Sequence, residues 1–198
     1  MTERPRTVTV AMPPPDVKEI RRYSRCPSGM DELLSECIEE LTPSLTCRVC
    51  FCEYPITRAG GEIDIGFTKT ASADLCRALD GCEKVLLFAA TVGFTPDRLI
   101  ARYSRFSQAK ALFMQAIGTE RVEALCDAFC GQMAEEYSVG GMELRPRFSP
   151  GYGDLPLDMQ KDVFRALDCT RSLGIILNES LLMMPSKSVT AMAGIRRV

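Results

Sequence analysis

No histidine and no tryptophan occur anywhere in the 198 residues of the chain. The missing imidazole removes Ser-His-Asp triads, Cys-His dyads and histidine general bases, and with them much hydrolytic chemistry. It also removes the commonest zinc ligand, so a zinc site would have to be assembled from thiolates or carboxylates at scattered positions. No apolar run approaches the ~20 residues that cross a bilayer, and no membrane partner is expected. The opening MTERPRTVTVAMPPP carries arginines but no long apolar core before a small-residue cleavage site, so a secretory leader is not expected and a cytoplasmic location is. Charge of neither sign dominates: the formal net charge is -2, which argues against a nucleic-acid partner. From Arg145 onward there are eight basic and five acidic residues, against 16 and 21 before it, a mild asymmetry that would suit an acidic docking partner.

What is present is the composition of a globular chain, 46% hydrophobic and 25% charged, which does not indicate disorder. Its ten cysteines invite a disulfide or metal reading. Structural disulfides are not expected in the cytosol. Cys47, Cys50 and Cys52 fall in LTCRVCFCEY, whose Val, Phe and Cys content predicts a strand. Alternate side chains of a strand face opposite ways, so Cys47 points away from the other two. Cys126 and Cys130 form an i, i+4 pair on a predicted helix with no second pair nearby. Cysteine used as a small buried apolar residue is the better reading, with a redox or metal role for Cys47, Cys50 and Cys52 as the weaker alternative.

No internal repeat or low-complexity tract interrupts the order of elements. An extended arm ends at Pro13–Pro15, a helix is predicted from Asp16 to Arg25, and Ser28 is placed as the cap of a second over GMDELLSECIEEL. Strands are predicted at 45–54 and 61–67, a short helix at 72–80, and a doubly covered strand in the apolar run KVLLFAATVG at 84–93. A helical pattern then runs from Thr95 to Tyr137 with a break near 103–108, and a further helix covers Met159 to Leu167. The tail alternates and breaks like two strands joined around Pro185. Strands grouped with long helices predict an α+β fold.

Between the long helix and the helix at Met159 stands RFSPGYGDLPLD, residues 147–158. Gly151 and Gly153 open backbone angles closed to other residues and leave no Cβ between the chain and a ligand. Pro150 and Pro156 stiffen the segment, Arg147 offers a planar fork of donors suited to a carboxylate, and Tyr152 offers an aromatic face for a purine or a sulfonium. These residue types suit a zwitterionic ligand with a carboxylate and a ring. They suit a rigid connecting loop equally well. The segment is neither GxGxxG nor a Walker loop, so phosphate binding is not indicated.

The pattern Arg147-x-x-x-Gly151-Tyr152-x-x-x-Pro156 resembles the RxxxGYxxxP signature of the activation domain of vitamin B12-dependent methionine synthase. The tail is similar to that family's T-E-S-x-x-M-x-P-x-x-S-V segment: Glu179, Ser180, Pro185, Ser188 and Val189 match, and Asn178 stands where threonine is usual. The resemblance covers roughly residues 70–195 and is strongest to the free-standing form of the domain. It implies a twisted antiparallel β-sheet with flanking helices, with residues 1–69 packed on a 70–198 core. It further implies that S-adenosylmethionine is bound, with cobalamin supplied by a partner: a cobalamin-binding methionine synthase lacking its own activation domain. The resemblance also implies flavodoxin or a similar electron donor and a role in reductive remethylation of cob(II)alamin. By the same resemblance Arg147 holds the methionyl carboxylate and Tyr152 touches the ligand. Phe148 stands at a backbone contact where the long enzymes carry a small residue, and Asp127 stands in place of a contacting glutamate. Gly151 and Pro156 shape the loop, and Glu179 and Ser180 are placed at the same cleft, although NES suits a strand-end turn equally well. Ala193 stands where an aromatic contact is expected, and no residue matches the family's N-terminal acidic contact. The alternative is a factor that caps or assembles a corrinoid protein without using S-adenosylmethionine, as those departures suggest.

Overall fold

A computed structural model of the chain describes residues 4–25, 29–59 and 61–198. Its spine is β6 (Lys84–Thr91), the apolar run read as a doubly covered strand, and every residue from Val85 to Thr91 is buried. β2 (Arg48–Pro55) pairs antiparallel with one side of β6, from Arg48 opposite Thr91 to Pro55 opposite Lys84. β10 (Ser188–Arg197) pairs antiparallel with the other side. β1 (Arg6–Thr9) and β7 (Met142–Leu144) complete a curled antiparallel sheet in the order β1-β2-β6-β10-β7. The N-terminal arm is thus partly an edge strand. The first 69 residues supply β1 and β2 to the same sheet as the rest, so no break in pairing falls at 69–70.

Alternation along these strands builds two cores, one on each face of the sheet. Cys50, Cys52, Tyr54, Val85, Leu87 and Ala89 face one side. There they meet α3 (Ala73–Ala78), α6 (Gln160–Leu167) and α7 (Cys169–Leu173), together with a small sheet of β3 (Thr57–Ala59), β4 (Glu62–Asp64) and β5 (Lys69–Thr70). Val49, Phe51, Leu86, Phe88 and Ala90 face the other, where the C-terminal half of α5 (Gln108–Val139) lies. Cys47 packs on this second side, opposite Cys50 and Cys52 as the alternation predicts. Among the described residues no cluster of cysteine or acidic side chains could hold a metal ion. Burial pushes the thiols of Cys126 and Cys169 up to about 12, so they sit in the core as neutral apolar groups.

α5 spans 32 residues and changes its buried face along the way. Its first half packs Phe113, Met114 and Ile117 against α1 (Val17–Ser24), α2 (Asp31–Leu41) and α4 (Thr95–Tyr103) in a third core. Its second half packs Leu125, Cys126 and Phe129 against the sheet. The predicted break near 103–108 is the turn between α4 and α5, with Ser107 accepting from the amide of Lys110. Asp16 caps α1 by accepting from the amides of Lys18 and Glu19. The proposed cap Ser28 lies outside the described residues; within them α2 opens at Met30 without a side-chain cap.

Two segments depart from expectation. The strand expected at 61–67 stops after Asp64, because Gly66, at φ +80°, donates to the Asp64 carboxylate at 2.9 Å and turns the chain. The tail forms a short ribbon, β8 (Ile176–Leu177) with β9 (Met183–Met184), before β10 begins. Asn178 Oδ1 accepts from the amides of Ser180 and Leu182, which folds the ribbon ahead of Pro185.

Candidate functional site

The 147–158 segment has two halves with different duties. Phe148 donates its amide to the Met192 carbonyl at 2.7 Å and accepts the Met192 amide at 2.8 Å, which lays the first half along β10. The second half is bolted to the start of α3. Asp154 accepts from the Ser72 hydroxyl and from the amides of Ala73 at 2.7 Å and Asp74 at 3.2 Å. Asp74 returns the contact by accepting the Asp154 amide at 2.9 Å. The hydroxyl of Ser72 holds the Asp154 carboxyl below the usual carboxylate range. Gly153 sits at φ +55°, and a Cβ there would collide with the Asp74 carboxylate. That glycine therefore serves a backbone approach within the protein, not toward a ligand. Gly151, at φ +90°, allows the turn in which its amide donates to the Leu155 carbonyl at 2.9 Å.

Arg147 stands at the head of the segment and reaches across to α5. Its Nη2 donates to Glu123 Oε2 at 2.7 Å, and its Nη1 lies 2.9 Å from Asp127 Oδ1. Glu123 and Asp127 are one helical turn apart, so both project from one face of α5 toward the same guanidinium. The Nη1–Asp127 contact is an ion pair without hydrogen-bond alignment, and Nη1 is buried beside it. Both arms of the fork thus face carboxylates of α5.

Two cavities meet at this guanidinium. The smaller, about 430 Å3, is lined by Arg147, Phe148, Tyr152, Gln160, Met183 and Thr190 among others. The larger, about 950 Å3, lies between α5 and the N-terminal arm and is lined by Pro13, Asp16, Tyr23, Asp127 and Arg147 among others. Glu123 lines both. The arm is held by a buried ion pair on α5: Arg121, paired with Glu120, donates to the carbonyls of Pro13 at 2.6 Å and Pro14 at 3.2 Å. Glu120 in turn accepts the Asp16 amide at 3.2 Å.

The structure brings together Arg147, Phe148, Tyr152 and Asp127 around this double cavity. The Tyr152 ring is 68% exposed and stands at the mouth. Gly151 and Pro156 shape the loop without lining either cavity. Glu179 and Ser180 do not join them: both are exposed in the turn of the β8–β9 ribbon, and only Met183 of that ribbon reaches the smaller cavity. Three residues escape a sequence reading. Glu123 lies four positions before Asp127, and that spacing was the available signal. Asp16 brings an acidic group from the N-terminal arm, which its role as a helix cap conceals. Gln160 stands alone in α6 with no local signal.

No family model matches the chain, and no curated protein matches it. Among solved structures it is similar to the MetH reactivation domain bound to AdoHcy. That match has a TM-score of 0.70 and 15% identity, and covers 98% of this chain and 79% of that one. The fold, a curled antiparallel sheet flanked by helices, is the fold of that domain.

Proposed function

From that shared fold, we propose that the chain binds S-adenosylmethionine across the two cavities and acts as a reactivation component for a corrinoid-dependent methionine synthase. The observation that carries this reading is Arg147, which lines both cavities and is flanked by Glu123 and Asp127. A guanidinium fork suits the methionyl carboxylate. S-adenosylmethionine carries one carboxylate, one ammonium and one sulfonium, and so one net positive charge. Arg147 with Glu123 and Asp127 carries one net negative charge, so ligand and site are matched. When bound, the sulfonium supplies an electrophilic methyl group. This chain's residues bind and orient it: Glu123 and Asp127 balance the cationic end, Tyr152 offers its ring at the mouth, and the bolted loop holds that shape in advance.

Cobalamin comes from the partner in this reading, a methionine synthase lacking its own activation domain, with flavodoxin or a similar protein as the electron donor. The ribbon beside the smaller cavity offers an apolar contact for that partner: Ile176 and Met184 are directly paired on its outer side and both are exposed. The second reading, a capping factor that does not use S-adenosylmethionine, draws on two observations. Arg147 already faces two carboxylates, and both backbone groups of Phe148 are engaged by Met192.

Calorimetric titration of S-adenosylmethionine into the full chain, beside Arg147→Ala, separates the two. Saturable binding that the variant loses supports the first reading. Absence of binding at millimolar ligand, together with restored stability of a corrinoid-loaded synthase, supports the second.

A further inference from the structure

Glu120, Glu123 and Asp127 all leave α5, and the structure gives each carboxylate a different degree of freedom. Glu120 is buried and locked to Arg121. Asp127 stands in solvent, with its side chain 73% exposed, and meets Arg147 Nη1 without hydrogen-bond alignment. Glu123 lies between these extremes. Its side chain is 41% exposed and lines both cavities, and its Oε2 accepts from Arg147 Nη2 at 2.7 Å. Arg147 is the one partner found for that carboxylate among the described residues. The guanidinium at the junction is therefore already taken up by carboxylates of the protein itself. A further carboxylate brought to Arg147 would leave the cluster with two net negative charges in a partly enclosed groove, which like-charge repulsion opposes.

We propose that Glu123 is an internal stand-in for the ligand's carboxylate, and that binding is an exchange of ion pairs which only an α-amino acid end can complete. The proposal rests on the groove being a site for S-adenosylmethionine or its demethylated product. An α-amino acid carries its carboxylate and its ammonium on one carbon atom. When that carboxylate takes the Arg147 fork, the ammonium arrives beside it and gives the displaced Glu123 a new partner. Arg147 and Glu123 are paired before the exchange and paired after it, so neither is left as a lone charge. A ligand with a carboxylate and no ammonium also displaces Glu123, but leaves it facing that carboxylate without a cation. Glu123 is thus a specificity-determining residue for the zwitterion, and it keeps simple organic acids off Arg147. Glu120 cannot do this, because Arg121 holds it. Asp127 is too well solvated for its release to discriminate between ligands.

The test compares S-adenosylhomocysteine with its desamino analogue, which carries hydrogen in place of the amino group, by calorimetry on the full chain. The wild-type protein is expected to prefer S-adenosylhomocysteine by about tenfold, the worth of one charged hydrogen-bonded contact. Glu123→Gln keeps the shape of the side chain and removes its charge. It is expected to bind the desamino analogue about fivefold tighter than the wild type does, because the competing carboxylate is gone. A Glu123 that only positions Arg147 gives the reverse. Weaker or unchanged binding of the analogue by Glu123→Gln therefore overturns the proposal and leaves the groove reading standing, as does equal binding of both ligands by the wild type. If neither S-adenosylmethionine nor S-adenosylhomocysteine binds the wild-type protein, the groove reading fails and the proposal fails with it. A Glu123→Gln protein that does not fold is replaced by Glu123→Ala, on which the same two titrations decide.

Discussion

Arg147 and Glu123 meet at 2.7 Å across the junction of two cavities, with Asp127 one turn further along the same helix. The trio carries one net negative charge. A site of that charge prefers a ligand carrying a sulfonium over the neutral thioether left after methyl loss. S-adenosylmethionine is expected to bind about fivefold tighter than S-adenosylhomocysteine, the worth of one partly exposed charge contact. Asp127→Asn narrows the gap, and raising salt narrows it in both proteins. Calorimetry on the two ligands checks this, and a preference for the thioether counts against a match to the sulfonium.

The glycine-rich half of the 147–158 segment answers to α3, so its disruption should register first in stability. Gly153→Ala forces a positive φ on a residue with a Cβ and drives that atom into Asp74, costing about 1–3 kcal/mol. Asp154→Ala removes the acceptor for the Ser72 hydroxyl and two helix-start amides, and also destabilises. Urea denaturation of both variants gives the comparison, and a Gly153→Ala protein as stable as wild type would show that the loop is not held as described.

Arg121 is 1% exposed and Glu120 5%, and between them they tie the proline arm to α5. Removing one partner strands a buried charge. Arg121→Ala is expected to lose about 3–5 kcal/mol, and the double replacement Glu120→Gln with Arg121→Met much less. Chemical denaturation reports the energies, and limited proteolysis near residue 13 reports release of the arm. Equal losses in the single and double variants would mean that the pair is not electrostatically coupled.

Burial raises the thiol of Cys37 to about 11 and those of Cys126 and Cys169 to about 12, from an ordinary value of 9.0. A raised folded-state pKa favours the protonated thiol in the native protein, so its stability contribution is complete below pH 9.0. That contribution falls as the pH climbs toward 11–12, because the unfolded chain ionises first. Melting temperature measured from pH 7 to pH 11 should hold level and then drop above about 9. A thiol-reactive dye should label these three positions only after unfolding.

Ile176 and Met184 pair on the exposed side of the ribbon whose Met183 lines the smaller cavity. Replacing both by glutamate is expected to leave ligand binding unchanged and to abolish stimulation of a corrinoid-loaded synthase. Remethylation followed by the cobalamin spectrum measures this. Undiminished stimulation would place the docking face elsewhere.

Short-range signals in the sequence were reliable wherever one element decides its own form. The apolar run at 84–93 became the buried central strand, and the helix expected from Asp16 to Arg25 became α1. The alternation in β2 set Cys47 against Cys50 and Cys52. Predictions weakened where a segment depends on a distant partner. The ribbon ahead of Pro185 follows from Asn178 gathering two amides. The strand expected to reach residue 67 ends at Asp64 because Gly66 turns back onto it.

The candidate site shows the same division. The sequence by itself determined that an arginine, two glycines, a tyrosine and two prolines stand together at 147–156, since adjacency along the chain needs no folding to exist. Only the tertiary structure decided which of them meet a cavity. It gave Gly153 to Asp74 and left Glu179 and Ser180 in an exposed turn. It also set Glu123, Asp16 and Gln160, drawn from three helices or their caps, around Arg147's cavities. Those assignments rest on the pairing of β2 with β6 and of β10 with Phe148, contacts between residues far apart in the chain. Such contacts form only when the whole sheet closes, because the entropy of bringing distant segments together is offset by the cooperative burial of both its faces.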